Sequence, residues 1–355
     1  MFDLEDLGWN AWFESHFEVW RGGGCEPGRV VGEERDLWRV QAAGGELRAA
    51  ARGKLRHEAE ARGALPAVGD WVALQARPAE GRATIHGVLP RRSKLSRRAP
   101  GRTTTEQVLA SNVDSILLVQ SLDRDLSLRR LERGLALVWE SGARPVVVLS
   151  KQDLCGDPEP LVRDVRAVAA GADVLALSAQ AGAGLEALDV YLQRGHTLVL
   201  VGASGVGKST LINRLLGEER QRVQEIRARD DRGRHTTTSR ALFVLPRGGM
   251  LVDTPGLRTL GLWGTAAGVE QAFDDVTRLA EGCRFRDCRH HLEPGCAVRE
   301  AVDDGRLDLE RLESHHKLQR ELGHLARKQD VLLRLDEQRK LKAIHRGMKR
   351  MKKHL

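Results

Sequence analysis

A glycine-rich loop that ends in lysine and serine carries the clearest chemistry in this sequence. Its residues are Gly202, Ala203, Ser204, Gly205, Val206, Gly207, Lys208 and Ser209, with Thr210 next. The loop joins an apolar strand pattern at 197–201 to a helical pattern, so its backbone N–H groups would face phosphate oxygens at the positive end of a helix. Lys208 would reach the β- and γ-phosphates, and the Ser209 hydroxyl would bind Mg²⁺. We therefore predict a nucleoside triphosphate site.

Two later segments could complete the magnesium and γ-phosphate site. Asp253 ends an apolar strand pattern and would hold Mg²⁺ directly or through water, while the backbone N–H of Gly256 would meet the γ-phosphate. The polar segment 233–238 lies between this turn and the glycine-rich loop. We expect Thr237, with Thr236 as second choice, to complete the Mg²⁺ shell. The alternative is a threonine-rich loop that only caps the next strand.

Residues that could recognise the base occur before the glycine-rich loop rather than after it. They are Ser150, Lys151, Gln152, Asp153, Ser178 and Ala179, and both groups follow apolar strand patterns. Guanine presents its N1–H and its N2 amine together, and the Asp153 carboxylate would accept both hydrogen bonds. The Lys151 stem would pack along the base, and a backbone N–H at Ser178–Ala179 would bind guanine O6. The alternative is a lysine and an aspartate in an exposed loop.

The rotated order of these elements indicates a circularly permuted P-loop nucleotide-binding domain. Strand and helix patterns alternate from about 110 to 262, which favours an α/β domain with a mostly parallel sheet, placed here at residues 96–262. Short β-prone segments in residues 1–95 predict a barrel of OB-fold size, with an SH3-like barrel as the alternative. Residues 263–355 are expected to form a mostly helical domain, since leucines recur there at helical spacing.

Individual elements are predicted from the same patterns. The predicted strands are 28–31, 37–40, 46–49, 69–74 and 83–88, then 115–120, 145–149, 174–177, 197–201, 241–245 and 250–252. Helices are predicted at 128–140 and 185–192. The basic run from Arg91 to Arg98 is interpreted as a linker that either contacts phosphate or is solvated.

A cysteine and histidine cluster indicates a metal site. The chain has five cysteines, and three of them, Cys283, Cys288 and Cys296, fall within 14 residues beside His290 and His291. In a chain without a secretion signal this clustering favours metal binding over disulfides. The residues alone leave open which histidine is the ligand.

The charge distribution suggests a polyanionic partner. Lys and Arg total 57 against 49 Asp and Glu, a net charge of +8, and Gln338 to Leu355 holds eight cations and no carboxylate. We expect this tail to bind RNA, with a merely solvated tail as the alternative. No apolar run reaches the ~20 residues of a membrane span, and the acidic start is unlike a secretory signal. A cytoplasmic protein with no membrane contact is expected.

With these motifs the chain resembles the ribosome small-subunit-dependent GTPase A (RsgA) family of circularly permuted GTPases. The resemblance covers nearly the whole chain. It includes the barrel segment 68–72, the segment 107–114, the rotated nucleotide motifs, and Cys283-x4-Cys288-x-His290-x5-Cys296 with Glu-Pro-Gly inside it. It implies a late-stage 30S assembly factor that binds GTP and GDP with Mg²⁺, contacts 16S rRNA, and hydrolyses GTP slowly until the subunit accelerates it. We expect a monomer.

The resemblance also implies residue roles. It selects His290 as the fourth ligand of one structural Zn²⁺, with the three clustered cysteines. Ser150 stands where the family usually has Asn, so nucleotide affinity is expected to be somewhat weaker. Leu257 occupies the position of the water-orienting glutamine of small GTPases and cannot take that role. His235 is then the candidate catalytic group, and a surface histidine without a catalytic role is the alternative.

The sequence is compatible with three functions. The leading hypothesis is an enzyme that uses GTP hydrolysis as a timer on a ribosomal precursor. The second is a nucleotide-gated RNA-binding module in which hydrolysis is incidental. An ATP-using P-loop kinase or ATPase is the third, and Asp153 together with the permuted order disfavours it.

Overall fold

A computed structural model describes residues 3–34, 37–62, 65–98, 106–122, 126–217, 240–253 and 266–327. Its strands are β1 (Glu26–Glu34), β2 (Leu37–Ala42), β3 (Gly45–Ala51), β4 (Trp71–Arg77), β5 (Arg82–Val88), β6 (Lys94–Arg98), β7 (Glu106–Ser111), β8 (Ser115–Ser121), β9 (Arg144–Ser150), β10 (Asp173–Ala176), β11 (Thr197–Val201), β12 (Ala241–Val244) and β13 (Met250–Asp253). Its helices are α1 (Ala11–Arg21), α2 (Gly53–Arg62), α3 (Leu128–Ser141), α4 (Glu159–Val168), α5 (Lys208–Leu216), α6 (Ala267–Ala272), α7 (Asp274–Ala280), α8 (Ala297–Asp303) and α9 (309–327).

The first five strands close into a barrel. They follow the order β1-β2-β3-β5-β4, and β4 returns to pair with β1. Pairs are antiparallel except β3 with β5, which run parallel. Alternate side chains point inward, and Val30, Val40, Leu74 and Ile85 are fully buried there. A Cβ on Gly28 would lie 2.5 Å from the Leu74 side chain, so β1 needs glycine at that point. This closed, five-stranded, OB-like barrel confirms the prediction for the first segment.

The nucleotide-binding segment forms a mostly parallel sheet. Its order is β10-β9-β8-β11-β13-β12, parallel throughout except for β12, which is antiparallel to β13. Every residue of β8 and β11 is buried, because helices and other segments cover both faces. The predicted strands and the 128–140 helix are present, whereas Leu185–Tyr191 forms a 3-10 helix rather than an α-helix.

The basic run before this domain differs from the linker predicted from sequence. Residues 94–98 form β6, which pairs with β7 as a two-stranded antiparallel sheet. Arg91 turns inward and donates two hydrogen bonds, of 2.7 and 2.6 Å, to the fully buried Asp70 carboxylate. The linker interpretation is therefore wrong for Arg91, whose side chain is only 15% exposed and whose guanidinium pairs with Asp70.

A buried arginine joins the N-terminal segment, the barrel and the nucleotide-binding domain. Arg29 on β1 is only 1% exposed. Its guanidinium donates to the Leu7 carbonyl, to the Asn112 carbonyl at 3.1 Å and to the Thr197 hydroxyl at 2.9 Å. The preceding helix α1, which the sequence analysis did not predict, packs Phe13 and Phe17 into the same core.

The C-terminal helices dock on α3 through a buried ion pair. Arg311 of α9 is 6% exposed and donates at 2.8 Å to Glu132 of α3. It also pairs with Asp275 at 2.7 Å and lies over the Phe273 ring. A Cβ on Gly268 would lie 2.2 Å from the Ala136 carbonyl, so α6 crosses α3 in close contact. Among the described residues, no helix is both long and apolar enough to cross a membrane.

Replacing Arg311 by Met should destabilise the protein strongly. Glu132 would then stay buried without its cation, and breaking such a pair costs about 3–5 kcal/mol. Urea unfolding followed by tryptophan fluorescence measures the change. The control is Arg278→Met, which removes an exposed pair with Asp274 and should cost less than about 1 kcal/mol. Equal losses in the two variants would contradict a structural role for the Arg311–Glu132 contact.

Candidate functional site

The residues predicted to bind a nucleotide gather at one edge of the parallel sheet. Strands β10, β9, β8, β11 and β13 run in the same direction, so their carboxyl ends share that edge. Ser150–Asp153 follows β9, Ser178–Ala179 follows β10, residues 202–210 follow β11, and Asp253 ends β13. Ligands of open α/β sheets bind at this edge. The fold therefore brings together segments that lie up to about a hundred residues apart in sequence.

The glycine-rich loop leaves a buried strand and enters α5 at Lys208. Gly202 lies where a Cβ would come within 2.3 Å of the Val119 carbonyl, and Gly205 and Gly207 have φ of +83° and +94°, so the turn depends on glycine. The Lys208 ammonium donates to the loop's own carbonyls, Gly202 at 2.7 Å and Ala203. This places a cation directly on the loop that would surround a phosphate.

Ser150 braces the glycine-rich loop. Its side chain is buried, and the hydroxyl lies 2.6 Å from the Val206 carbonyl and 3.1 Å from the Gln120 carbonyl. One hydroxyl proton serves one acceptor at a time, and Val206 is the nearer. Sequence reasoning missed this contact because both acceptors are backbone atoms, whose positions leave no signal in residue type. Ser150 thus keeps a link between the base-recognition segment and the phosphate loop.

The two base-recognition segments are joined to each other. The Gln152 N–H donates to the Leu177 carbonyl at 3.2 Å, directly before Ser178. Ser178 is buried, and its hydroxyl accepts from the Ala181 N–H at 3.0 Å, which shapes the following turn. Asp153 is exposed in a 3-10 turn that starts after Lys151, which has φ of +61°. An exposed carboxylate at this edge is open to a ligand that offers hydrogen-bond donors.

The magnesium candidates are described only in part. Ser209 is exposed at the first turn of α5, and Asp253 is half-buried opposite Ala241. His235, Thr236, Thr237, Gly256 and Leu257 lie outside the described residues, as does the basic tail 338–355.

A cleft of about 430 Å³ lies at the opposite, amino edge of the sheet, bordered by Trp9, Arg29, Arg92 and Thr197. It does not coincide with the motif residues. The phosphate loop is instead open to solvent, since Ser204 and Gly205 are exposed. The chemistry of the residues, rather than cavity depth, identifies the nucleotide site.

Three cysteines and one histidine converge in the C-terminal domain. Cys283, Cys288, His290 and Cys296 bring their ligand atoms within 4.8 Å of one another. Cys283 Sγ lies 3.9 Å from Cys296 Sγ and 3.6 Å from His290 Nδ1, and Cys296 Sγ lies 3.5 Å from that nitrogen. Tetrahedral zinc with bonds of about 2.3 Å to sulfur and 2.0 Å to nitrogen requires separations of about 3.8 and 3.5 Å. The residues fit a metal ion, while the His291 ring instead lies against the His316 ring, with centroids 4.3 Å apart and planes tilted by 35°.

Glu293 orders the loop that carries these ligands. Its carboxylate accepts from the backbone N–H groups of Arg289 at 3.1 Å, His291 at 2.8 Å and Leu292 at 3.1 Å. Hydrogen bonds from its own N–H and from these backbone groups hold the pKa of Glu293 at about 2. The side chain is therefore ionised at neutral pH and holds the turn around His290, which has a left-handed φ of +61°.

Comparisons with known proteins agree with the motif order and the fold. The chain matches the family model described as RsgA GTPase at residues 88–263, and one described as 50S ribosome-binding GTPase at 197–353. It is 47% identical to the small ribosomal subunit biogenesis GTPase RsgA of Opitutus terrae, over 98% of this chain and 97% of that protein. It is 44% identical to the protein of the same name from Syntrophotalea carbinolica, over 99% and 98%.

Two solved structures resemble the fold. YjeQ from Thermotoga maritima aligns with a TM-score of 0.60 and 27% identity, covering 84% of this chain and 98% of that one. YloQ, a circularly permuted GTPase, aligns with a TM-score of 0.61 and 24% identity, over 84% and 96%. The permuted α/β architecture predicted from the motif order is confirmed.

Removing the Ser150 hydroxyl should weaken nucleotide binding. Ser150→Ala leaves the Val206 carbonyl without its donor, so we expect GDP affinity to fall about 3- to 10-fold, roughly 1 kcal/mol. Ser141→Ala is a matched control, because that buried hydroxyl also donates to a carbonyl at 2.6 Å but belongs to α3. Titration with a fluorescent GDP analogue measures both variants. An unchanged affinity in Ser150→Ala would show that the brace does not contribute.

Neutralising Glu293 should loosen the metal site. In Glu293→Gln one carboxylate oxygen becomes an amide that cannot accept from the loop N–H groups, and loss of such an outer contact typically lowers metal affinity about 10- to 100-fold. Competition for Zn²⁺ with a chromophoric chelator at neutral pH measures this. Glu281→Gln, which changes an exposed carboxylate near the same module, should retain the wild-type affinity. Equal affinities in the two variants would refute the role assigned to Glu293.

Proposed function

This chain belongs to the RsgA GTPase family, and we propose that it is a GTP hydrolase that acts in biogenesis of the small ribosomal subunit. The observation that carries the proposal is identity of 47% over 98% of the chain with a protein named for that activity, so that barrel, nucleotide-binding domain and metal module are all included. A nucleotide-gated RNA-binding module without relevant hydrolysis is not favoured, because the relatives are named as GTPases.

The nucleotide roles follow from the residues at the carboxyl edge. Asp153 accepts the N1–H and N2 amine of guanine, Lys151 lies along the base, and Ser178–Ala179 donates a backbone N–H to O6. Residues 202–210 surround the phosphates, with the Lys208 ammonium on the β- and γ-phosphates. The Ser150 brace to Val206 supports this assignment, since it links base and phosphate elements.

The residues proposed to hold Mg²⁺ are Ser209, Thr237 and Asp253, with the Gly256 N–H on the γ-phosphate. The ion would neutralise charge that develops on the phosphates during transfer. Leu257 has no polar group to orient water, so we assign that role to His235, whose imidazole would position or deprotonate the attacking water.

The metal module and the basic surfaces would serve the ribosomal partner. Cys283, Cys288, His290 and Cys296 would hold one structural Zn²⁺, which would staple a segment with little core of its own. Arg284, Arg286 and Arg289 are exposed on this loop, beside Phe285, which is 43% exposed. Exposed cations beside an aromatic ring suit RNA, so 16S rRNA is the proposed contact of this loop, together with the barrel and the basic tail. A cytoplasmic monomer that binds late in 30S assembly fits these roles.

Nucleotide turnover with and without purified 30S subunits tests the proposal. We expect GTP hydrolysis that rises on addition of 30S, and no comparable ATP hydrolysis. Asp153→Asn should lower GTP affinity by at least about 100-fold and raise affinity for xanthine nucleotide, because the amide reverses the hydrogen-bond demand.

Some results of the same assay would contradict the proposal. Equal use of GTP and ATP by the wild type would refute guanine recognition by Asp153, and absence of 30S stimulation would refute the ribosomal assignment. His235→Ala should bind GTP and 30S but lose most of the stimulated rate. If 30S stimulates that variant as strongly as the wild type, another group must position the attacking water.

A further inference from the structure

The barrel and the nucleotide-binding domain share one continuous sheet. Strand β1 of the barrel pairs with β12 at Gly32 and Ala241, and β12 pairs with β13 at Ala241 and Asp253. These residues therefore lie in a row across adjacent strands, which are about 4.8 Å apart. A single strand separates the barrel backbone from the carboxylate proposed to hold Mg²⁺.

The backbone part of this junction is short. Gly32 with Ala241 is the one register pair between β1 and β12 within the described residues, whereas β1 and β2 share six. One pair holds a strand weakly, because each ladder hydrogen bond adds only about 1 kcal/mol net. Among the described residues β12 is held mainly by its four pairs with β13, and side chains add to its contact with the barrel.

Arg240 supplies that contact from the residue directly before β12. Its side chain is 14% exposed, and its Nη1 lies 3.2 Å from Glu33 Oε2 and 3.2 Å from the Val108 carbonyl. Glu33 belongs to β1 and Val108 to β7, so one guanidinium ties the start of β12 to two elements of the N-terminal half. Arg240 is largely shielded from water although Glu33 is 44% exposed, so the part-buried bond to the Val108 carbonyl contributes more than the Glu33 pair.

We propose that Arg240 is a positioning residue for GTP hydrolysis, which fixes β12 on the barrel and thereby sets Asp253 at the magnesium site. The inference rests on the proposed function, in which Asp253 is an Mg²⁺ ligand. Displacement by about 1 Å at a reacting centre can cost about a hundredfold in rate, so a loosened β12 should affect chemistry before it affects folding. The barrel, which is a proposed rRNA contact, then communicates with the phosphate site through this side chain.

Single-turnover GTP hydrolysis at varied Mg²⁺ concentration, with and without saturating 30S subunits, tests the inference. Arg240→Ala should lower the 30S-stimulated rate at least about tenfold and raise the Mg²⁺ concentration for half-maximal rate severalfold. Mg²⁺-free GDP affinity and melting temperature should stay near wild type. Arg240→Lys keeps the charge and one contact, so it should recover part of the rate. Glu33→Gln should show a smaller defect that does not add to that of Arg240→Ala.

Arg247→Ala is the matched control. Arg247 lies in the turn at the other end of the same β12–β13 hairpin and pairs with the exposed Asp189, so its loss should leave rate and Mg²⁺ dependence unchanged. If Arg240→Ala matches this control, or if it lowers melting temperature and GDP affinity without moving the Mg²⁺ dependence, the inference is overturned. A wild type that 30S does not stimulate would instead count against the proposed function, and the basal Mg²⁺ dependence would still decide the role of Arg240.

Discussion

One arginine is buried without a carboxylate in hydrogen-bond contact. Its hydrogen bonds determine how the N-terminal half packs on the nucleotide-binding domain. Burying a cation costs several kcal/mol unless its donors are satisfied. Arg29 meets this demand with acceptors from the N-terminal segment, the barrel, the β7–β8 turn and β11. Burial lowers the pKa of Arg29 to about 10, against the opposing charges of Asp114 and Asp70, so the side chain stays protonated at neutral pH. A shift of one element that removed its acceptor while Arg29 stayed buried would leave a donor unpaired, which favours this one arrangement.

This constraint reaches the nucleotide site through β11. Thr197, which accepts from Arg29, is the first residue of the strand that ends at the glycine-rich loop. The Thr197 N–H also donates to Asp114 at 2.8 Å, so both the side chain and the backbone of this residue are held. Arg311 makes the corresponding junction on the other side, but with carboxylates as partners. Two buried guanidinium groups thus connect the nucleotide-binding domain to its neighbours. Arg29 is held by uncharged acceptors, whereas Arg311 is held mainly by carboxylates.

Local patterns were enough to predict every strand except β6 and β7, together with the phosphate loop and the metal-ligand spacing. Each depends on residues close in sequence: alternation in β5, a glycine-rich turn between β11 and α5, or cysteines within a span of 14 residues. The features that were missed depend on distant partners. Arg91 was interpreted as a linker residue because its acceptor, Asp70, lies 21 positions earlier and on another element. The contact from Ser150 to Val206 was missed because the acceptor is a backbone carbonyl. Helix α1 was missed because its apolar face packs on Trp71, a residue distant in sequence.

The permuted chain order has a mechanical consequence at β13. The motif that begins at Asp253 comes last of the nucleotide motifs. Its strand, β13, is bordered by β12, which pairs with the barrel, and the chain after it leads in sequence to α6, which packs on α3. The barrel is thus one strand away from β13, and the C-terminal helices follow β13 in sequence. Arg29 also links the barrel directly to β11, and Arg311 links α9 to α3, so each module contacts the domain at more than one place. Strand β13 lies inside the sheet between β11 and β12, and of its four residues only Asp253, at the carboxyl end, is not fully buried.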